Sequence, residues 1–100
     1  MTVMPPDIVV IETAIDHLDQ LAERLRADGW EAWLTVSSSH LPYVLVLNPK
    51  MRALNDEVIA APDAAGDWWY WWSWAERIAP VDDAAQVVVW VARVLAAEQP

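Results

Sequence analysis

Side chains that could perform chemistry are few and widely separated in this sequence. The two histidines, His17 and His40, are too far apart for a metal-binding spacing such as HExxH. The acidic pairs at 56–57 and 82–83 could supply acid–base groups, but adjacent strand residues point to opposite faces, and acids at a helix start are explained by capping. Without cysteine there is no thiol nucleophile, disulfide or Cys-ligated metal, and two glycines provide no phosphate-binding loop. We therefore predict no catalytic residue, no metal and no cofactor, and expect a protein that is not an enzyme.

The composition predicts one small acidic domain spanning residues 1–100. Fifteen acidic residues against six basic ones give a net charge of −9, which repels nucleic-acid phosphates and anionic lipid headgroups. No apolar run approaches the roughly 20 residues of a membrane helix, and the N-terminus has no basic region typical of a secretory signal. We expect a cytoplasmic protein that binds neither nucleic acid nor membrane.

Two helices are predicted at the ends of the chain. Thr13 with Asp16 resembles a capping box, and an apolar face with helical spacing follows until Gly29, a residue typical of helix ends. The apolar segment 8–11 before it could be a strand or helix. Near the C-terminus, Asp82 is the predicted N-cap of a second helix. Its apolar stripe comprises Ala84, Val87, Val88, Val91, Val94 and Leu95.

Four strands are predicted between these helices. Residues 30–37 alternate in polarity, residues 43–47 are apolar on both faces, 57–61 form a weaker candidate, and the tryptophan run 68–74 follows. The short connections favour antiparallel hairpins. The predicted fold is α+β, an antiparallel four-stranded β-meander in the order α-β-β-β-β-α with both helices on one sheet face.

The tryptophan run predicts two rows of side chains with different environments, because alternate strand residues point to opposite faces. One row packs in the core under the helices: Trp68, Tyr70, Trp72 and Trp74. The other row, Trp69, Trp71 and Ser73, joins Trp33 or Trp30 on the second face. If water reaches that face, it is a candidate interface. The alternative is that the N-terminal segment or the connector at 49–56 covers it.

The first helix also carries an acidic face formed by Glu12, Asp16, Asp19 and Glu23. Such a face is usually a solvated surface. Its functional alternative is recognition of a basic partner, for instance a DNA-binding regulator, with charge raising the association rate more than the affinity.

The string WWYWWSWAERIAP, with Asn48-Pro49 before it and the Ala/Val-rich helix after it, resembles a group of small uncharacterised actinobacterial proteins. The resemblance covers most of the chain from Leu25 onward. Some members of that group are encoded near helix-turn-helix regulators. The resemblance implies a bacterial cytoplasmic protein with a regulatory partner, and it transfers no catalytic residues.

Three functions are compatible with these patterns. The leading hypothesis is a non-enzymatic protein-interaction module, either a homodimer or an accessory partner of a transcription regulator, that uses the aromatic sheet face. The alternative is a small-molecule-binding domain with a Trp-lined pocket between sheet and helices. An enzyme would need a convergent set such as His40, Glu57 and Glu76 in one cleft.

Overall fold

In the part of the chain that the structure describes, one helix precedes a run of strands and another follows it. This computed structural model describes residues 6–95. In chain order the elements are α1 (Pro6–Ala27), β1 (Glu31–Thr35), β2 (Tyr43–Asn48), β3 (Met51–Pro62), β4 (Trp68–Trp72), β5 (Arg77–Pro80) and α2 (Ala84–Leu95). The fold is α+β, as the sequence predicts, with an antiparallel sheet that is flanked in the sequence by an N-terminal and a C-terminal helix.

Helix α1 begins earlier than predicted. Thr13 lies inside the helix, so its assignment as the first cap is wrong, and segment 8–11 is helical. A proline is compatible with the first turn of a helix, because the N–H groups there have no intrahelical partner. Ile11 lies seven residues before Leu18 and therefore extends the same apolar face by two turns.

The C-terminal end of α1 is a Schellman motif built on Gly29, where the sequence predicts the stop. Gly29 has a φ of +98°, a left-handed conformation that glycine adopts without a Cβ penalty. The N–H of Trp30 donates to the carbonyl of Leu25 at 3.0 Å, and that of Gly29 donates to Arg26 at 3.1 Å. These bonds satisfy the terminal carbonyls and direct the chain into β1.

The sheet contains five strands, in the order β1-β2-β3-β4-β5, so the prediction of four is wrong. The tryptophan run stops being a strand at Trp72, residues 73–76 reverse the chain, and β5 pairs with β4. The turn holds none of glycine, proline or asparagine, which usually signal turns, and Ala75 adopts its positive φ of +72°. Trp74, predicted in the core row, lies in this turn and is 50% exposed.

Strand β3 is also longer than predicted. It begins at Met51, directly after the turn at 49–50, with a register shift between Leu47 and Asn48. Most of the predicted connector at 49–56 is therefore sheet, and it does not lie over a sheet face as the alternative prediction required.

Buried side chains from both helices and from one face of the sheet form a single core cluster. We call this face the inner face; its buried residues are Ala32, Val44, Val46, Val58, Ala60, Tyr70, Trp72 and Ala79. The helices contribute Ala14, Leu18, Leu21, Ala22 and Leu25 from α1, and Val87, Val91 and Leu95 from α2. The core thus lies between the helices and the inner face.

Polar side chains connect the helices to the sheet within this core. The Tyr70 hydroxyl donates to the carbonyl of His17 at 2.7 Å, and burial raises the pKa of Tyr70 to about 12. The Asn48 amide donates to the carbonyl of Leu95 at 2.8 Å, while its oxygen accepts from the N–H of Lys50 at 2.8 Å. Each helix is therefore connected to the sheet by one such hydrogen bond, near the middle of α1 and at Leu95 of α2.

Helix α2 differs from its prediction in two details. Its first residue is Ala84, so Asp83 rather than Asp82 precedes the helix directly. Val94, expected in the buried stripe, is 40% exposed. The prediction of a buried apolar stripe is otherwise confirmed, because Val87, Val91 and Leu95 repeat every four residues and are buried.

Candidate functional site

The second face of the sheet, which we call the outer face, is largely apolar. Strand register places Trp33 opposite Leu45 on β2, and Ile59 and Ala61 of β3 opposite Trp71 and Trp69. The apolar residues of this face are Trp33, Tyr43, Leu45, Leu47, Ile59, Ala61, Trp69, Trp71 and Pro80, of which Leu47 is buried. An antiparallel sheet with one solvated face normally carries polar residues there, so this composition is typical of a face that packs against something.

Exposure differs across the outer face. Trp33 is 55% exposed, whereas Trp69 and Trp71 are half-buried. Strand β1 lies three strands from β4, about 14 Å at the usual strand spacing. Tyr43, Leu45 and Ile59 lie between the two aromatic groups, so the surface is continuous. Trp30, the other residue predicted to join this face, packs against the core instead.

The indoles of Trp69 and Trp71 are held in place from within the chain. The Trp69 N–H donates to Oδ2 of Asp63 at 3.0 Å, and the Trp71 N–H donates to the carbonyl of Ala61 at 3.0 Å. The guanidinium carbon of Arg77 lies 4.5 Å from the Trp69 ring centroid and 6.0 Å from that of Trp71. Because both N–H donors are used internally, the rings offer apolar surface to a partner.

Asp63 organises the loop that precedes β4. Its Oδ1 accepts the backbone N–H groups of Asp67 at 3.0 Å and Ala65 at 2.9 Å, and Arg77 lies 3.7 Å from Oδ2. The pKa of this carboxyl is held below its ordinary value of 3.8, chiefly by the hydrogen bond from the Asp67 N–H. Burial raises the pKa, but the donors of Ala65 and Trp69 and the charge of Arg77 lower it further. Asp63 and Arg77 were not predicted as site residues. An aspartate opening a Gly-containing loop was the available signal for Asp63.

Ser73, predicted in the exposed row, belongs to the turn after β4. Its backbone N–H donates to the carbonyl of Glu57 at 3.0 Å, which continues the pairing of β3 with β4 by one residue. Its hydroxyl lies 3.3 Å from Oδ1 of Asp56. Ser73 therefore borders the outer face, and its side chain is engaged by a carboxylate.

The predicted acidic face lies on the other side of the molecule. All four of its side chains are exposed on α1, whose apolar face packs against the inner face of the sheet: Glu12, Asp16, Asp19 and Glu23. Two candidate surfaces, one apolar and one acidic, are thus separated by the core.

Helix α2 carries an exposed apolar stripe that was not predicted as a site. Val89, Trp90 and Val94 are 44%, 38% and 40% exposed. The guanidinium carbon of Arg93 lies 5.3 Å from the Trp90 ring centroid. The signal was available, because Gln86 and Arg93 are the polar residues among Ala84–Leu95 and such a helix is usually covered on most sides.

A cleft of about 320 Å³ opens where β4 begins and β5 ends. It is lined by Asp67, Trp68, Trp69, Pro80, Val81 and Asp82. This position lies at one end of the strands, not between sheet and helices where the ligand-pocket hypothesis placed it. On the inner side, the ring of His17 is 5.2 Å from that of Trp68.

Within residues 10–95, whose side chains the structure describes, no group of three or more His, Cys, Asp or Glu could hold a metal ion. In the same range, each buried side-chain nitrogen or oxygen has a hydrogen-bond partner. Among the described helices, none is long and apolar enough to cross a membrane.

Comparison with known proteins found no matching family model, curated protein or solved structure. The resemblance to small actinobacterial proteins therefore stays a prediction.

Proposed function

We propose that this chain is a non-enzymatic protein-interaction module whose binding surface is the outer face of its sheet. The observation that supports this proposal is the apolar composition of that face, where Trp33 projects with 55% of its surface exposed. Among residues 6–95, both helices pack on the inner side, so neither covers the outer face. A partner protein supplies the missing layer.

The energetics favour such a partner. A tryptophan can bury up to about 250 Å², so the exposed part of Trp33 amounts to roughly 130 Å². At about 25 cal/mol/Å², covering this one side chain contributes about 3 kcal/mol to association. Trp69 and Trp71 are already oriented by Asp63, Ala61 and Arg77, so little side-chain entropy is lost when they are contacted.

Small-molecule binding is the alternative function, and the cleft beside Trp68 and Trp69 supports it. Its volume of about 320 Å³ is at the lower end of the range for ligand pockets. Titration of intrinsic tryptophan fluorescence with a compound library tests this function. A saturable change that Trp68→Phe abolishes would support it, and no saturable change would exclude it.

The proposed interaction is tested by site-specific photo-crosslinking in the cells that normally produce the protein. A photoreactive amino acid replaces Trp33 in the full chain, and the matched control replaces Trp90, a tryptophan on the opposite layer. We expect crosslinks to protein, either the chain itself or another, from position 33 and far fewer from position 90. The absence of crosslinks from position 33, or equal crosslinking from both, would contradict the proposal.

A further inference from the structure

We infer that the occupant of the outer face is a second copy of this chain, so that two sheets pack face to face. This inference rests on the proposed function and specifies its partner. It chooses between self-association and docking onto a basic regulator, which the sequence alone leaves open.

The charges around the outer face favour a like partner. Glu31 forms an ion pair with Arg52 at 2.5 Å, and Asp63 pairs with Arg77 at 3.7 Å. Among the strand residues that register places on this face, Glu57, opposite Leu45, is the remaining carboxylate and is half-buried. The face is therefore almost neutral although the chain carries −9. A neutral apolar surface gives a basic partner no electrostatic reason to bind there, and it does not repel an identical surface.

The acidic residues of α1 lie on the far side of each protomer in such a dimer. Packed sheets are about 10 Å apart, and a helical layer adds about 10 Å on each side, so the two acidic faces would be roughly 30 Å apart. The Debye length at physiological salt is about 8 Å, so their mutual repulsion is largely screened there and grows at low salt. Self-association should therefore tighten as salt rises. Binding of an acidic surface to a basic partner would instead weaken as salt rises.

The edges of the sheet disfavour the other symmetric arrangement, in which strands of two copies pair side by side. Strands β1 and β5 form the edges. On β1, the carbonyl of Ala32 already accepts a hydrogen bond from Arg26 at 2.6 Å. Strand β5 ends in Pro80, which has no N–H to donate. These features disfavour strand addition at both edges, and the face remains as the contact surface.

The size of the face predicts a weak dimer. Five strands about 4.8 Å apart and about five residues long define a projected area of roughly 350 Å², which projecting side chains increase. Stable complexes bury about 800 Å² per partner, and smaller interfaces belong to transient complexes. We therefore expect a dissociation constant in the micromolar range.

The test is sedimentation equilibrium of the purified full chain, from about 1 μM to about 200 μM, at salt concentrations from about 20 mM to about 500 mM. We expect a monomer–dimer equilibrium that tightens severalfold as salt rises. The salt series uses the unaltered chain, so its outcome is independent of the folding of any variant.

Paired substitutions locate the interface. Trp33→Thr keeps a good strand-forming residue, and we expect at least tenfold weaker association. Trp90→Thr is the matched control, and we expect less than a twofold change. Near-ultraviolet circular dichroism verifies that both variants are folded.

Three results would overturn the inference: a monomer at all concentrations, association that weakens as salt rises, or an effect of Trp90→Thr as large as that of Trp33→Thr. A strict monomer whose position 33 still crosslinks to a different protein in cells refutes the second copy and leaves the proposed function intact. A strict monomer without crosslinks refutes both.

Discussion

Asn48 is a buried polar residue that joins the turn between β2 and β3 to the last described residue of α2. It is 7% exposed, and its side chain makes hydrogen bonds of 2.8 Å to the carbonyl of Leu95 and to the N–H of Lys50. The substitution Asn48→Ala removes both bonds. Each is worth about 1–1.5 kcal/mol, so the expected loss is about 2–3 kcal/mol.

Urea denaturation followed by tryptophan fluorescence measures this loss, which corresponds to a fall in Tm of about 10–20 °C for a domain of this size. Asn55→Ala is the matched control. The Asn55 amide also donates to backbone carbonyls, of Arg52 at 3.0 Å and Ala53 at 3.2 Å, but this residue is exposed. We expect a loss below about 0.5 kcal/mol there. Equal losses in the two variants would refute the importance of the buried bonds.

Asn48→Asp refines the same prediction. A carboxylate keeps an acceptor for the Lys50 N–H but has no donor for the Leu95 carbonyl, and it would lie beside the negative end of the α2 dipole. The nearby Leu95 carbonyl, the helix dipole and burial all disfavour the charged carboxylate. They therefore raise the folded-state pKa of the new carboxyl above its unfolded value of about 3.9. This variant should therefore lose stability as the pH rises above about 4, and a pH-independent loss would contradict the argument.

Three further predictions concern single residues. Tyr70→Phe removes the 2.7 Å hydrogen bond to His17 and should cost about 1 kcal/mol in urea denaturation. Because burial raises the pKa of Tyr70 to about 12, the native protein, unlike this variant, should lose on the order of 2–3 kcal/mol between pH 10 and 12. Gly29→Ala should lower the free energy of unfolding by about 1–2 kcal/mol, because alanine is strained at a φ of +98°. The added Cβ meets no atom within 4 Å, so the loss comes from the backbone alone, and an unchanged Tm would contradict this prediction. The lowered pKa of Asp63 stabilises the fold above pH 3.8, and this stabilisation should be lost as the pH falls through the lower folded-state pKa. NMR titration of the Asp63 carboxyl carbon measures that pKa, and a value at or above 3.8 would contradict the prediction.

Features that follow from local periodicity were predictable from the amino-acid sequence. A helical repeat of 3.6 residues located both helices, and the left-handed requirement at Gly29 located the end of the first. The two-residue repeat of a strand separated the tryptophan run into rows, and the structure places Tyr70 and Trp72 in the core as that repeat requires. These features depend on neighbours within a few residues, so the sequence contains them explicitly.

The points at which those local patterns stop depend on contacts between distant parts of the chain. Strand β5 was missed because the turn at residues 73–76 lacks the usual turn residues, and its positive φ falls on Ala75, which closes the turn by donating to the Trp72 carbonyl at 2.9 Å. The length of β3 was likewise decided by a distant element, because β3 pairs with β2 as far as Asn48 and Met51.

The candidate site shows the same division. The sequence placed Trp69 and Trp71 in one row, because parity within a strand is local, but left open whether Trp33 or Trp30 joins them. It did not identify Asp63 and Arg77, whose contacts with Trp69 join a loop, a strand and the neighbouring strand. Nor did alternation alone show that Tyr43, Leu45 and Ile59 make the outer face continuous, since that depends on the register of β1, β2 and β3. Register is set by the burial of the opposite face, and this is a property of the whole fold.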